Sequence, residues 1–461
     1  MPFKDLEKIL YKDSSSIKEI LEGFNSTATL TEGQGFAIII NDLGKCVGVV
    51  SDGDIRRGLL EKNSLDSSIK NVMNKSFSFV NDKDSTHRIL REFDKGRTNL
   101  PVLDQNNHPI DLYRYSKFGA SDHFEKRIIR ARVPVRVSYS GGGTDMTKLM
   151  NRVPSAVLSS TINKYCTASV IIRDDKKVHI TSKDLEINYI SDSIDKIEYG
   201  DDLDLIKAAV KIMKPNFGFD LETFAEYEPG TGLGGSSAVV VAVLGALNYF
   251  RNENQLDLYQ IADLAYQVER IDMKIQGGWQ DQYATAFGGF NWIEFRKNEV
   301  LVNPLKLNRN TQLELEYNLM LFRLGGNRSS SDLQEELLKK VDENKNQIIF
   351  EKVRKLADKM KDSLLKGHVK SFADYLHEAW VLKKKMNDGV SNKFVEECYN
   401  AARDNGALGG KLLGAGGSGY LLIYSSPLYQ KKIKNKLEKI GATQEPFKFC
   451  TEGLEVWSTK K

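Results

Sequence analysis

The segment SIKEILEGFNST (16–27) places apolar residues three and four positions apart, which predicts a helix with one buried face. FAIIIND and KCVGVVSD follow as short apolar runs separated by the turn NDLGK, and GDIRRGLLEKN returns to helical spacing. A weaker second copy, DSTHRILREFDKGRTNLPVLDQNNHPIDLYRYSKF, repeats this order of helix, strand, strand. Residues 1–120 are therefore expected to form a small α/β domain built from an internal repeat. The polar stretch around SKFGASDHFEKR gives a linker, set at 121–127, and a second domain occupies 128–461. There the strand patterns IIRARVPVRVSYS, KYCTASVIIRDD, YNLMLFRLG and GYLLIYSS alternate with long helical stretches concentrated in the later half, which predicts an α+β fold.

Composition narrows the class. Of 461 residues, 41% are hydrophobic and 28% charged, and 66 basic against 62 acidic residues leave a net charge of only +4. Such mixed charge argues against nucleic acid as a partner. The longest apolar run, AVVVAVLGALNYF, is too short to cross a membrane. Cys46, Cys166, Cys398 and Cys450 are far apart, so neither a zinc site nor a disulfide framework is expected. With no apolar stretch in MPFKDLEKILYKDSSS, a cytoplasmic location is expected.

Four stretches stand out in the second domain, three of them glycine-rich loops. EPGTGLGGSSA (228–238) precedes a helix with almost no polar face. Glycine allows close backbone approach, and a helix start offers unpaired N–H groups and partial positive charge, so this place suits a phosphate. It is not a Walker A loop, because Gly235 stands where a lysine would be required. A plainer reading makes Ser236 the N-cap of a buried helix. The strand VPVRVSYS runs into GGGTD (141–145). AYQVERIDMKIQGGWQDQYATAFGGF (265–290) reads as a helix carrying Glu269 that leads through Gly277 and Gly278 to Asp281. GALGGKLLGAGGSGYLLIY (406–424) reads as a helix end, a glycine loop and a strand.

Phosphoryl transfer would use all of these. It needs N–H groups around donor phosphates, an oxygen cage for Mg²⁺, a carboxylate near the attacking hydroxyl and a nearby cation. Ser236 or Ser237 and Glu269 suffice as metal ligands, Asp281 can act as base, and Arg136 can be its cationic neighbour.

PVRVSYSGGGTD, PGTGLGGSSA, GGWQDQYATAFGGF and KLLGAGGSGYLL, in this order, resemble the motifs of the GHMP kinases, over roughly residues 128–461. LGGNRSSSDLQEE and LHEAWVLKKKMNDGVSN are similar to the branch that phosphorylates a heptose 7-phosphate on its anomeric oxygen. The resemblance implies a two-lobed α+β kinase fold, ATP and Mg²⁺ as cofactors, and a sugar or sugar phosphate as substrate. It implies a phosphate loop at Pro229, Gly230, Gly232, Leu233, Gly234, Gly235, Ser236 and Ser237. The metal serine is Ser236 or Ser237, depending on whether the alignment is anchored on GLG or on Ala238. Glu269 becomes the metal carboxylate, Asp281 and Arg136 the catalytic pair, and Gly142, Gly143, Thr144 and Asp145 the holders of sugar hydroxyls. Arg328 is the candidate for a substrate phosphate. His377 and Lys383–Lys385 are weaker candidates for that phosphate, and on a helix they also read as a plain solvated face.

VGVVSDGDIRRGLL (47–60) resembles a CBS repeat, with Ser51 and Asp54 matching the ribose-holding pattern; the second copy lacks that pair. The resemblance implies a regulatory nucleotide site and a homodimer. Two rival readings remain: a kinase for fucose, galactose or another hexose, and a CBS ligand sensor with an inactive kinase domain.

Overall fold

The computed structural model describes residues 6–27, 35–115, 127–150, 152, 154–297, 299–325 and 344–460. The chain divides into two compact units, Met1–Glu125 and Lys126–Lys461.

In the first unit the strand Leu10–Lys12 pairs in parallel with Phe36–Ile40, which pairs antiparallel with Cys46–Ser51. Helix Ile17–Thr27 connects the parallel strands and buries Ile17, Ile20 and Phe24, the apolar positions of its pattern. The same arrangement recurs as Val80–Asn81, helix Thr86–Asp94, Asn99–Leu103 and Pro109–Arg114. The copies meet where Leu112 joins Ile38 and Val49 in one apolar cluster, and where Cys46 N–H donates to the Asn107 carbonyl at 2.9 Å.

The second unit is built on a nine-stranded sheet and a four-stranded one. Strand Ser155–Ile172 is the spine of the larger sheet, pairing along its length with Arg127–Ser140, Phe219–Ala225 and Phe290–Arg296. Helix Gly235–Asn248 is buried almost all round, as a helix this apolar must be to avoid exposing its surface. The smaller sheet follows the order Ala407–Leu412, Gly419–Ser425, Leu319–Leu324, Thr443–Glu445, all antiparallel. Helices Val369–Met386, Lys393–Asp404 and Pro427–Ile440 pack against it around a second core containing Trp380, Val395 and Ile433.

Two local expectations change. The stretch Ala407–Leu412 is a strand, where a helix end was expected. Its glycines explain the difference: a Cβ on Gly409 would fall 2.0 Å from the Ala373 carbonyl oxygen, so the strand lies directly against helix Val369–Met386. The segment around Glu269 is not one helix either. Helix Leu258–Tyr266 ends in one wide turn, Gln267–Asp272, and the chain then runs irregularly until helix Gln280–Phe287.

Candidate active site

The last eight residues of strand Arg127–Ser140 are buried, and Arg136 among them is only 4% exposed. A buried guanidinium requires partners. Its Nε and Nη2 donate to Asp281 Oδ1 and Oδ2 at 2.8 Å each, and Nη1 donates to the Gly232 carbonyl at 2.7 Å. Its backbone N–H donates to the Leu233 carbonyl at 3.0 Å. One residue thus ties the glycine loop to the carboxylate at the start of helix Gln280–Phe287.

Gly230, Gly232 and Gly234 all have left-handed φ, at 74°, 84° and 75°. Gly232 also meets the third glycine loop, since a Cβ there would lie 2.9 Å from Gly414 Cα. Pro229 and Gly230 form the exposed outer turn, while Leu233 is buried. The N-cap of helix Gly235–Asn248 is Gly234, with no side-chain bond, so the expected N-cap role of Ser236 is corrected. No side chain caps the first N–H groups of this helix, and uncapped N–H groups at a helix start are the kind that phosphate binding uses.

Both serine hydroxyls turn instead to Glu269. Ser236 Oγ donates to Oε1 and Ser237 Oγ to Oε2, each at 2.6 Å. Glu269 is fully buried, and the wide turn Gln267–Asp272 directs it inward together with Val268. The Gln282 amide also donates to Oε2, while Gln282 Oε1 is buried without a partner. Two hydroxyls, a carboxylate and an orphaned amide oxygen form an all-oxygen set suited to a hard cation such as Mg²⁺. Ser237 is fully buried and Ser236 partly accessible, so the structure brings both serines to the carboxylate.

The turn after Ser140 carries the acceptor candidates. Asp145 Oδ1 accepts from Gly143 N–H at 2.8 Å, and Oδ2 accepts from Gln280 N–H at 3.1 Å. A Cβ on Gly278 would fall 1.9 Å from Asp145 Oδ2, so only glycine permits this approach. Burial, and then the charge of Asp281, push the Asp145 carboxyl above its ordinary range. Thr144 differs from expectation: it is fully buried and its hydroxyl donates to the Gly141 carbonyl at 2.7 Å. Its side chain holds the turn in place of a sugar hydroxyl.

Arg136, Asp281, Asp145, Gly142 and Gly143 line one cavity, which Arg270, Lys383 and Lys411 also line. Arg270 Nη1 stands 3.8 Å from Glu269 Oε1 and links the cavity to the serine–glutamate cluster. The expected solvated face of helix Val369–Met386 is therefore corrected at Lys383. Lys384 pairs with Glu396 at 3.0 Å and Lys385 is exposed, but Lys383 Nζ donates inward to the carbonyls of Leu412 and Gly414 at 2.8 and 2.6 Å. His377 lies against Tyr399, with Nδ1 2.5 Å from its hydroxyl, away from the cavity. Arg328 lies outside the described residues.

The chain's relatives decide the family. Profiles described as GHMP kinases N terminal domain and GHMP kinases C terminal match residues 204–289 and 360–443. A D-glycero-alpha-D-manno-heptose 7-phosphate kinase of Campylobacter jejuni is 34% identical over 337 residues, covering 72% of this chain and 99% of the relative. The chain belongs to the GHMP kinase family. A solved D-glycero-D-manno-heptose 1-phosphate kinase from Bacteriodes thetaiotaomicron superposes with a TM-score of 0.60 at 29% identity, over 71% of this chain and 98% of that one. An Arabidopsis thaliana bifunctional fucokinase/GDP-fucose pyrophosphorylase is 27% identical, covering 68% of this chain and 32% of that one. This GHMP kinase is thus a small-molecule kinase of the sugar-kinase group. No described helix is long and apolar enough to cross a membrane.

Sequence reasoning missed Arg270, Gln282 and Lys411, and set Lys383 only among its weaker candidates. Two carried a readable signal. Lys411 is the one charge in GALGGKLLGAGG, and a charge within an apolar strand marks a buried partner. Lys383 follows Leu376, Ala379 and Trp380 at helical spacing, so it falls on the buried stripe of its helix. Its two lysine neighbours disguised it as surface charge.

In the first unit, Ser51 and Asp54 form a capping box on helix Asp52–Leu60. Ser51 N–H donates to Asp54 Oδ2 at 2.8 Å, and Asp54 N–H to Ser51 Oγ at 3.3 Å. Arg57 also pairs with Asp54 Oδ1 at 2.5 Å. Local capping accounts for this spacing without a ligand.

Proposed function

We propose that this chain transfers the terminal phosphoryl group of ATP to the anomeric hydroxyl of D-glycero-D-manno-heptose 7-phosphate, giving the 1,7-bisphosphate for nucleotide-sugar synthesis. The observation that carries the reading is the paired Arg136 and Asp281, held between the glycine loop and the Asp145 turn. In it, Asp281 accepts the proton of the attacking hydroxyl. Arg136 fixes the direction of that carboxylate and offsets the charge that develops on the transferring group. N–H groups from Gly234 to Ser237 cradle the donor phosphates, with Pro229, Gly230, Gly232 and Leu233 shaping the loop. Ser236, Ser237 and Glu269 would hold Mg²⁺, which neutralises phosphate charge when bound. Asp145 with Gly142 and Gly143 orients the sugar hydroxyls. The heptose assignment draws on the name of the Campylobacter jejuni relative, and ATP on the family.

ATP consumption over a panel of sugars and sugar phosphates tests this reading. Turnover should be best with the heptose 7-phosphate, and turnover restricted to unphosphorylated hexoses would overturn it. A kinase for fucose is the second reading, favoured by the fucokinase relative.

The first unit is read as a CBS pair because its two halves share one strand–helix–strand–strand order and the same pairing pattern. In that reading it binds an adenine nucleotide or a nucleotide-sugar, supports a homodimer and alters kinase activity through states of different ligand affinity. Calorimetry of the full chain with AMP and nucleotide-sugars, beside kinetics with the same ligands, tests it. No heat and unchanged rates would leave an assembly role.

A further inference from the structure

Two lysines in the cavity have no place in the chemistry above. Lys411 is 6% exposed, and its Nζ donates to the Ser138 and Tyr139 carbonyls at 3.0 Å each. Lys383 Nζ likewise spends two bonds on carbonyls, those of Leu412 and Gly414. An ammonium has three protons to donate, so each lysine keeps one for a ligand. Among the described residues neither has a carboxylate within ion-pair distance, whereas the other two cations of the cavity do: Arg136 has Asp281 and Arg270 has Glu269. Burial pushes both lysines down; the charge of Arg136 adds to it at Lys411, which falls to about 7, and the charges of Lys411 and Arg136 add to it at Lys383, which falls well below its ordinary value. Two ammonium groups that line one cavity without a carboxylate partner are costly until an anion enters.

A third group points the same way. Ser138 is 6% exposed, lines the cavity and has a buried hydroxyl without a partner. That hydroxyl would lie 3.5 Å from a Cβ on Gly142, beside the acceptor turn. The carbonyls that hold Lys411 belong to the strand residues leading into that same turn, on the acceptor side of Arg136 in the chain.

We infer that Lys383, Lys411 and Ser138 form a subsite for a phosphate already carried by the acceptor sugar. The inference rests on the reading of a phosphorylated acceptor, and it makes these residues the determinants of preference for phosphorylated over free sugar. The two positive charges match a phosphate dianion, and the Ser138 hydroxyl supplies a neutral donor.

Steady-state kinetics of the full chain, its Lys383→Met, Lys411→Met and Lys411→Arg variants, with heptose 7-phosphate and the free heptose, test the inference. Inorganic phosphate serves as probe, and circular dichroism checks folding. KM for the phosphorylated acceptor should rise about tenfold or more in the Met variants, with KM for ATP and for free heptose little changed. Lys411→Arg should recover part of the loss. Inorganic phosphate should compete with the phosphorylated acceptor and raise the melting temperature of the wild type more than that of Lys411→Met. Competition against ATP, with a rise in KM for ATP in the variants, would assign the lysines to the donor phosphates and overturn the inference. A wild-type enzyme indifferent to the acceptor's phosphate would overturn the heptose phosphate reading. The anion subsite would then stand only on thermal stabilisation by inorganic phosphate that the Met variants lose.

Discussion

Asp281 receives two hydrogen bonds of 2.8 Å from Arg136, so the proposed base is held in one orientation by a residue that is itself buried. Asp281→Asn should lower kcat by about 10²–10⁴-fold, the usual contribution of a general base, while ATP still binds. Because the substitution removes the charge facing Arg136, stability should also fall, by about 1–3 kcal/mol. Chemical denaturation and single-turnover kinetics on the same preparation separate the two effects. A wild-type kcat would remove Asp281 from the chemistry.

Ser236 and Ser237 each donate to a different oxygen of Glu269, yet only Ser236 is partly accessible. Ser236→Ala should raise the Mg²⁺ concentration needed for half-maximal rate with little loss of stability. Ser237→Ala should cost about 1–3 kcal/mol, because it leaves a buried carboxylate oxygen short of a donor. Magnesium titrations and melting curves of the two variants check the division. The reverse pattern would make Ser237 the metal ligand.

Gly278 stands where a Cβ would meet Asp145 Oδ2 at 1.9 Å. Gly278→Ala should displace the Asp145 carboxylate and raise KM for the sugar severalfold or more, with KM for ATP close to wild type. Equal changes in both constants would show a general distortion of the loop.

Lys411 gives stability a defined pH dependence. Its folded value is about 7 against an ordinary 10.5, so between these limits the unfolded chain binds more protons. Its contribution therefore makes stability increase as pH rises from about 7 towards 10.5, and the Lys411→Met variant should lose that part of the slope. Arg136, Lys383, Asp281 and Asp145 line the same cavity, so the difference between wild type and variant is the quantity to measure. Urea unfolding at pH 7 and pH 9 suffices, and identical slopes would refute the burial argument.

The Ser51–Asp54 capping box predicts that Ser51→Ala costs the first unit about 1 kcal/mol whatever ligand is present. Proteolysis within residues 1–115 reads this stability locally. A loss of nucleotide binding without any loss of stability would instead mark Ser51 as a ligand contact.

The sequence alone determined the elements whose signal is local. Apolar spacing located helix Ile17–Thr27, alternation and apolar runs located strands such as Phe36–Ile40 and Gly419–Ser425, and the glycine loops marked where backbone must come close to something else. It also singled out Arg136, Glu269, Asp281 and Asp145, through the groups that phosphoryl transfer needs and through the resemblance to GHMP kinase motifs. Tertiary structure alone decided which partner each of these takes. Arg136 and Asp281 are 145 residues apart in the chain, and Ser236 and Glu269 33 apart, so no spacing rule connects them. It decided as well that Gly234 and not Ser236 caps the long apolar helix, that Thr144 turns inward, and that Lys383 leaves its lysine run for the cavity. The physical reason is the same in each case. A polar side chain's partner is set by which backbone and side-chain groups burial leaves within reach, and that is fixed only when distant strands and helices close around it.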